Sequence, residues 1–396
     1  MRNAVIGLII GIVAGIVLGT TVIAPRLAQN VKREIGLTAQ QPTAPETDVN
    51  SEKDATTNAA DTADTAKFAG KIPPKPEAMR LRMASAFPES LTAFGTSAKR
   101  LEETLWRVSD GAFDMKFYPP GTLVSEAEAL EAVTSGAIDA YFTDIDKLAT
   151  SEPALSIFAG PPFGVSVQAY LGWLAQGGHK LFQETLSSIG LNGLVCGMIP
   201  DAGGGWFKKS LKTIEDFKGM RIRASGVTAK LYQQLGAEVV SFSFAETMIA
   251  MEQGLLDGAE LSAPHIDLAL GAPKSGMTYY LPAWRKPASA FALVMSQEKW
   301  DELSPVQKTQ LQTVCGDINA HSIAEAEALQ FNALKEITAG GADVQPWPAE
   351  IQRAVKAAWL AEAKERQKEN RLYSKAIKSY RLFIKGQSIW EELARP

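Results

Sequence analysis

Residues 112–145 read AFDMKFYPPGTLVSEAEALEAVTSGAIDAYFTDI, and the rhythm of apolar residues changes twice along them. In AFDMKFY, Phe113, Met115 and Phe117 fall on one side of a strand, because successive strand side chains point to opposite faces. Ser125 to Thr134 then carries a helical pattern that Gly136 closes, and AIDAYFTDI reads as a further strand. Upstream, RLRMASAF (80–87) alternates in the same way. Ser90 to Val108 sets Leu91, Phe94, Ala98, Leu101 and Leu105 at helical spacing before the Asp110-Gly111 turn. Strand–helix–strand–helix–strand predicts an α/β unit with parallel neighbours, whose ligands bind at the carboxyl ends of strands.

A second unit of the same kind follows. GLVCGMI (193–199) and GMRIRAS (219–225) read as strands, Ala229 to Leu235 as a helix and AEVVSF (237–242) as a strand. A helix from Ala245 to Gln253 stops at Gly254, and LLDGAELSA (255–263) completes the unit. Two α/β lobes in one chain predict a cleft that closes on a ligand. From Ser304 the pattern is mainly helical. Residues 349–385 form an amphipathic stretch whose Trp359, Tyr373, Tyr380 and Phe383 are expected to pack on a lobe or on a second subunit.

The chain has 396 residues, a formal net charge of −4, 46% hydrophobic and 21% charged residues, which suits an ordinary globular body of about two domains. No basic stripe is present, so no nucleic-acid partner is expected. The N-terminus is different: residues 4–24, AVIGLIIGIVAGIVLGTTVIA, contain no charge. As a helix this run would rise about 31 Å, close to the hydrocarbon thickness of a bilayer. It is longer than a usual signal-peptide core, so an uncleaved anchor over residues 1–25 is favoured over a removed signal. Gly7, Gly11, Gly15 and Gly19 share one helical face, as in closely packed membrane helices or simply in Gly-rich ones. Arg26, Lys32 and Arg33 follow the span against Arg2 before it, which taken literally puts the body in the cytoplasm; a long following domain weakens that rule. Residues 26–77 read as a disordered leash, since 38–66 hold no aromatic residue and only Val49 among aliphatics larger than Ala.

Neither a P-loop, a G-x-S-x-G elbow, a G-x-G-x-x-G after a strand nor a metal-type His pairing occurs, so no enzyme is expected. Cys196 and Cys315 have neither metal spacing nor a C-x-x-C motif. An oxidising compartment would permit a bridge between them, with buried free thiols the expected state. In GMRIRAS, Arg221 and Arg223 lie two apart on one side of a short strand. A guanidinium there can grip a carboxylate bidentately, although strand arginines more often face solvent. Glu260, after a helix–Gly–strand transition, can accept hydrogen bonds or ligate a cation, with a surface Glu as the plain alternative.

From about Leu81 onward the chain resembles the solute-binding subunits of TRAP (tripartite ATP-independent periplasmic) transporters of the DctP type. The carrying segments are FYPPGTLVSEAEALEAVTSGAIDA (117–140), GPPFG (160–164), GGWFKKSLKTIEDFKGMRIRASG (204–226) and FAETMIAMEQGLLDGAEL (244–261). GGWF, the Arg strand and APHIDLALG (263–271) look most like the branch that binds 2-keto acids. The resemblance implies a two-lobed, periplasmic-binding-protein-like α/β fold with crossing strands, long C-terminal helices and no catalysis. It assigns 78–200 and 288–335 to lobe I, 201–287 to lobe II and 336–396 to a C-terminal helical extension through which dimers form. It implies a ligand carboxylate on Arg223, with Arg221 at a variable position, and Glu260 beside a sodium or calcium ion. Phe163 and Trp206, from GPPFG and GGWF, join the candidate ligand-binding set.

This chain departs from the branch where Leu261 replaces Trp, Ala202 (beside Asp201) replaces Gln, and His265-Ile266 replace Tyr-Asn. A larger or more apolar carboxylate is therefore expected in the pocket. The implied partners are TRAP permease subunits, with the protein in the periplasm, tethered to the inner membrane. A tethered binding protein that feeds a membrane sensor is the alternative.

Overall fold

The computed structural model describes residues 78–200, 203–271, 276–284 and 286–394. The expected membrane span 1–25, the leash 26–77 and Ala202 lie outside the described residues. Among the described residues, no helix is long and apolar enough to cross a membrane.

The strands, in chain order, are β1 (Met79–Ser85), β2 (Phe113–Tyr118), β3 (Ala140–Asp144), β4 (Leu191–Pro200), β5 (Gly205–Phe207), β6 (Arg221–Arg223), β7 (Glu238–Val240), β8 (Gly258–Ala259), β9 (Thr278–Leu281), β10 (Ala288–Ser296) and β11 (Asp343–Pro346). They form two sheets, ordered β2-β1-β3-β10-β4 and β11-β9-β5-β8-β6-β7. In the first, β1 pairs parallel with β2 and β3, and its Leu81 and Met83 are buried beside Phe113, Met115 and Phe117 of β2. The helix Gly95–Val108 covers that face with Ala98, Leu101 and Leu105. It begins five residues later than its apolar pattern suggests, because Ala93 takes φ 64, a left-handed conformation that no right-handed helix can run through.

Three expectations need correction. Neighbours are not all parallel: β10 runs antiparallel to both β3 and β4, and β5 antiparallel to β8 and β9. GLVCGMI does not open the second unit. As β4 it closes the first sheet, paired with β10 from nearly a hundred residues later, a partner that local periodicity cannot name. Finally, Cys196 and Cys315 form a disulfide rather than two free thiols. Their Cα atoms stand 4.4 Å apart, within bridging range, because the helix Pro305–Ala339 packs directly on β4.

The chain passes between the sheets at β4 to β5 and at β9 to β10. It passes again along the long helix Pro305–Ala339, which starts with a Ser304/Gln307 capping box and Pro305 in its first turn. Near its start Leu311, Val314 and Ile318 join the core of the first sheet. Near its end Leu334 and Ile337 join the core on the second. Residues 343–346, inside the segment expected to be mainly helical, form β11 and add an edge to the second sheet beside β9. The helix Ala349–Glu369 then ties to the second-sheet side through Lys230–Glu362 (3.3 Å), and Arg371–Ala394 returns to the first. There Tyr373 and Tyr380 are buried, Tyr380 sits edge-on to Trp173 at 5.0 Å, and Asn370 Nδ2 donates to Glu152 Oε1 at 2.8 Å. Of the four aromatics read from the tail, Trp359, Tyr373 and Tyr380 are thus buried within the chain itself.

Candidate functional site

β6, β7 and β8 are mutually parallel neighbours, so their carboxyl ends face one way. Ile222, fully buried, anchors β6 and leaves Arg221 and Arg223 together on its other side, as their spacing suggests. Their surroundings then separate them. Arg221 Nε lies 3.6 Å from Glu238 Oε1 on the edge strand, a partly exposed pair of little energetic weight. Arg223 reaches across the strand ends: its Nε donates to the carbonyl of Phe242 at 3.0 Å and its Nη1 to that of Glu260 at 2.6 Å. The Phe244 ring centroid lies 5.3 Å from its guanidinium carbon, a cation–π contact. Two carbonyls and a ring therefore hold the guanidinium in one orientation, at the position where α/β sheets bind ligands.

Glu260 directly follows β8 and is 2% exposed. Burying a carboxylate is costly unless hydrogen bonds replace water. The helix Gly226–Gln234 supplies them, with Thr228 Oγ1 donating to Oε2 at 2.8 Å and Tyr232 OH to Oε1 at 2.9 Å. Sodium and calcium take oxygen ligands, calcium usually six or more. Among the described residues no group of three or more His, Cys, Asp or Glu side chains converges as a metal site. A cation beside Glu260 would thus need oxygens other than a cluster of carboxylates.

The segment from Glu260 into the short helix Pro264–Ala269 carries most of the remaining candidates. Leu261 is buried in the apolar cluster of the second sheet. Trp206 is wholly buried, stacked on Tyr279 with centroids 4.2 Å apart, and its Nε1 donates to Asp267 Oδ2 at 2.8 Å. Asp267 Oδ1 accepts from the Ser262 backbone N–H at 2.7 Å, so Trp206 fixes the loop from beneath. His265 is buried, with Nδ1 2.7 Å from Gln330 Nε2 on the long helix, and burial holds its pKa below the usual histidine value. Phe163, at φ 54, donates its N–H to the Trp284 carbonyl at 2.7 Å and stacks on the Trp284 ring. Trp284 in turn meets Tyr232 edge-on at 5.7 Å, which connects Phe163 to the support of Glu260.

Sequence reasoning missed the supports: Thr228, Tyr232, Asp267, Trp284 and Lys286. The buried Lys286 lies in the β9-to-β10 crossing, its Nζ 2.5 Å from Asp146 Oδ2 and 3.6 Å from Asp144 Oδ2. A Cβ on Gly226 would stand 3.2 Å from Asp146 Oδ2, so the short helix Ile145–Leu148 that follows β3 and the start of the helix Gly226–Gln234 touch there. No local pattern marks such residues, because their partners lie far along the chain.

Two sheets between which the chain crosses repeatedly, with a fixed guanidinium and a buried carboxylate at the strand ends, define a solute-binding protein. Residues 84–370 match the model of the family described as bacterial extracellular solute-binding protein, family 7 (DctP), and the chain belongs to that family. It is a TRAP-type binding protein and not an enzyme. A monocarboxylate 2-oxoacid-binding periplasmic protein of Nostoc sp. is 27% identical over 80% of this chain and 86% of its own length. A TRAP transporter solute-binding protein of Bordetella bronchiseptica, solved as a mixed-occupancy dimer with calcium and picolinate in one active site, superposes with a TM-score of 0.77. It is 26% identical, over 81% of this chain and 95% of that one. A TRAP protein of Pseudoalteromonas atlantica with bound sodium and pyruvate shares the fold, with a TM-score of 0.74 and 23% identity over 80% of this chain and 97% of its own.

Proposed function

We propose that the protein is the periplasmic receptor of a TRAP transporter, capturing a small carboxylate between its two sheets and delivering it to membrane permease subunits. The observation that carries this reading is Arg223, oriented by two carbonyls beside the buried Glu260. A carboxylate meeting a fixed guanidinium forms two parallel charge-assisted hydrogen bonds. The Nostoc and Bordetella relatives, which bind a 2-oxoacid and picolinate, support the same ligand class. The sheets act as lobes, 78–200 with 288–335 against 201–287, and residues 336–396 strap them together. Glu260, Leu261, Trp206, His265, Phe163 and Ala202 complete the site, with sodium or calcium beside Glu260. No observation favours the sensor-feeding alternative.

Tethering through residues 1–25 remains part of the proposal, and retention in washed membranes tests it. So does a homodimer through the last helix, whose Leu382, Ile389, Trp390 and Leu393 are exposed large apolar side chains. Light scattering measures that.

Thermal-shift screening of the full-length chain against organic acids, amino acids and sugars, with and without sodium or calcium, tests the function. A ligand at a hundredfold its dissociation constant stabilises by about 2.7 kcal/mol, a shift of several degrees. Stabilisation by sugars or amino acids but by no simple carboxylate would overturn the reading. Pocket width is tested separately by Leu261→Trp. The added ring is expected to weaken binding of long carboxylates about tenfold while sparing pyruvate-sized acids, a loss in the range of small pocket-volume changes. Calorimetry reads both, and equal weakening of long and short acids would remove Leu261 from the wall.

A further inference from the structure

We infer that Gln330, on the helix Pro305–Ala339, fixes His265 as an Nε2–H donor to an oxygen of the bound acid, so that this pair sets specificity at the end of the ligand not held by Arg223. The inference rests on the binding site proposed above. It starts from two hydrogen bonds at one atom. Gln330 Nε2 lies 3.0 Å from the carbonyl oxygen of Ala326, one turn earlier in its own helix. A carbonyl can only accept, so the amide atom facing it is the nitrogen and the side chain cannot be flipped. The same nitrogen lies 2.7 Å from His265 Nδ1. As a donor it requires a lone pair there, and Nδ1 is therefore unprotonated.

His265 is 7% exposed and its pKa is lowered, chiefly by burial, with Gln330 and the charge of Glu325 acting the other way. The ring is thus neutral near pH 7, and its one proton sits on Nε2. That nitrogen is the one Gln330 does not engage. It is out of reach of solvent and, among the described residues, has no hydrogen-bond partner. A buried N–H without an acceptor costs about 1–3 kcal/mol. Folds rarely leave such a donor orphaned without a functional reason. His265 lies in the short helix Pro264–Ala269, just after Glu260, whose carbonyl holds Arg223, so the orphan donor and a carbonyl that orients the anion anchor share one short segment. An acid with a second oxygen acceptor, a keto, carbonyl or further carboxylate oxygen, satisfies it. An acid ending in a plain alkyl chain does not.

Among the described residues, the charge that bears on this ring is that of Glu325. Glu325 lies on the long helix, where its Oε2 accepts from Ala93 N and Thr96 Oγ1. Asp267 lies in the ring's own helix and accepts from Trp206 and Ser262. Gln330→Glu changes the logic at its source. A carboxylate only accepts, so Nδ1 takes the proton and a neutral ring turns a lone pair toward the ligand oxygen. Acid then restores the Nε2 proton by forming the imidazolium.

The test uses the ¹⁵N-labelled full-length protein, whose three histidines give a simple two-bond ¹H–¹⁵N imidazole spectrum, with His265→Asn identifying the signal. The expected result is an Nε2–H tautomer for His265 in the free protein, with an Nε2 shift that moves on saturation with pyruvate. Gln330→Glu should weaken pyruvate binding at pH 7.5 by at least about tenfold, the scale of one lost hydrogen bond made repulsive, and acidification should recover it. Butyrate, lacking the second acceptor, should be indifferent to the change. An Nδ1–H tautomer, an Nε2 signal unmoved by a bound acid, or a Gln330→Glu loss that acid does not rescue would each overturn the inference and leave the carboxylate receptor standing. Failure of the wild-type chain to bind any carboxylate would overturn both.

Discussion

Replacing Arg223 by alanine should lower affinity for the carboxylate ligand by roughly tenfold to 150-fold, the equivalent of about 1.5–3 kcal/mol for hydrogen bonds to a charged group. The protein should remain folded but not untouched. The carbonyls of Phe242 and Glu260 lose their guanidinium donors, and each partly buried acceptor left unpaired costs up to about 1–3 kcal/mol. Cooperative unfolding at a somewhat lower midpoint is therefore expected. Arg223→Lys should recover charge but little affinity, because an ammonium cannot present the planar fork. Arg221→Ala is the internal control: its partner is a partly exposed Glu238 at 3.6 Å, and its loss should move neither binding nor stability by more than about 1 kcal/mol. Isothermal titration with the acid identified by thermal shift measures all three. Unchanged affinity in Arg223→Ala would remove the anchor assignment.

The contrast between these arginines shows how far the sequence reaches. Spacing places both on one side of β6, and a single intervening buried Ile222 enforces that. It cannot say that Glu238 waits beside one and two strand-end carbonyls beside the other, since these partners come from β7 and β8. The same limit governs the fold. β2 is legible because one face is buried and the other is not, so Phe113, Met115 and Phe117 stand out at period two. β10 is illegible for the opposite reason: all nine residues of ASAFALVMS are buried, and no alternation survives in a strand covered on both faces. Helices fared better where one stripe faces a core, as in Gly95–Val108, although the left-handed Ala93 moved the start. Within the site, Arg223 and Glu260 are visible by residue type and motif. Trp206 is visible only as a bulky residue, and its work under the loop depends on Asp267, which is sixty-one positions away.

The cysteines give the largest expected effect on stability, and here residue spacing alone pointed the wrong way. A bridge between Cys196 and Cys315 closes a loop of 119 residues. Constraining so long a loop in the unfolded chain corresponds to about 5 kcal/mol in the chain-entropy model, of which disulfides commonly deliver about 2–4 kcal/mol. The bridge is also not alone. Asn319 and Ser322, on the following turns of the same helix, bond the β4 backbone where Gly197 takes φ 121: Gly197 N–H donates to Asn319 Oδ1 at 2.6 Å and Met198 N–H to Ser322 Oγ at 2.9 Å. The first half of the long helix is thereby welded to the first sheet, while Leu334 and Ile337 at its far end pack on the second. Paired Cys196→Ala and Cys315→Ala substitutions, or reduction, should thus lower unfolding stability by about 2–5 kcal/mol, several degrees in midpoint, without abolishing carboxylate binding near 25 °C. The hydrogen bonds from Asn319 and Ser322 keep the helix in place in the folded state, and Gln330 lies further along it. Calorimetric unfolding with and without reductant measures the loss, and thiol titration of the denatured, unreduced protein counts the sulfurs. Two titratable thiols with an unchanged midpoint would restore the free-cysteine state. No thiols and a lowered midpoint on reduction would make the bridge the clamp that holds the long helix to one lobe while its other end follows the second.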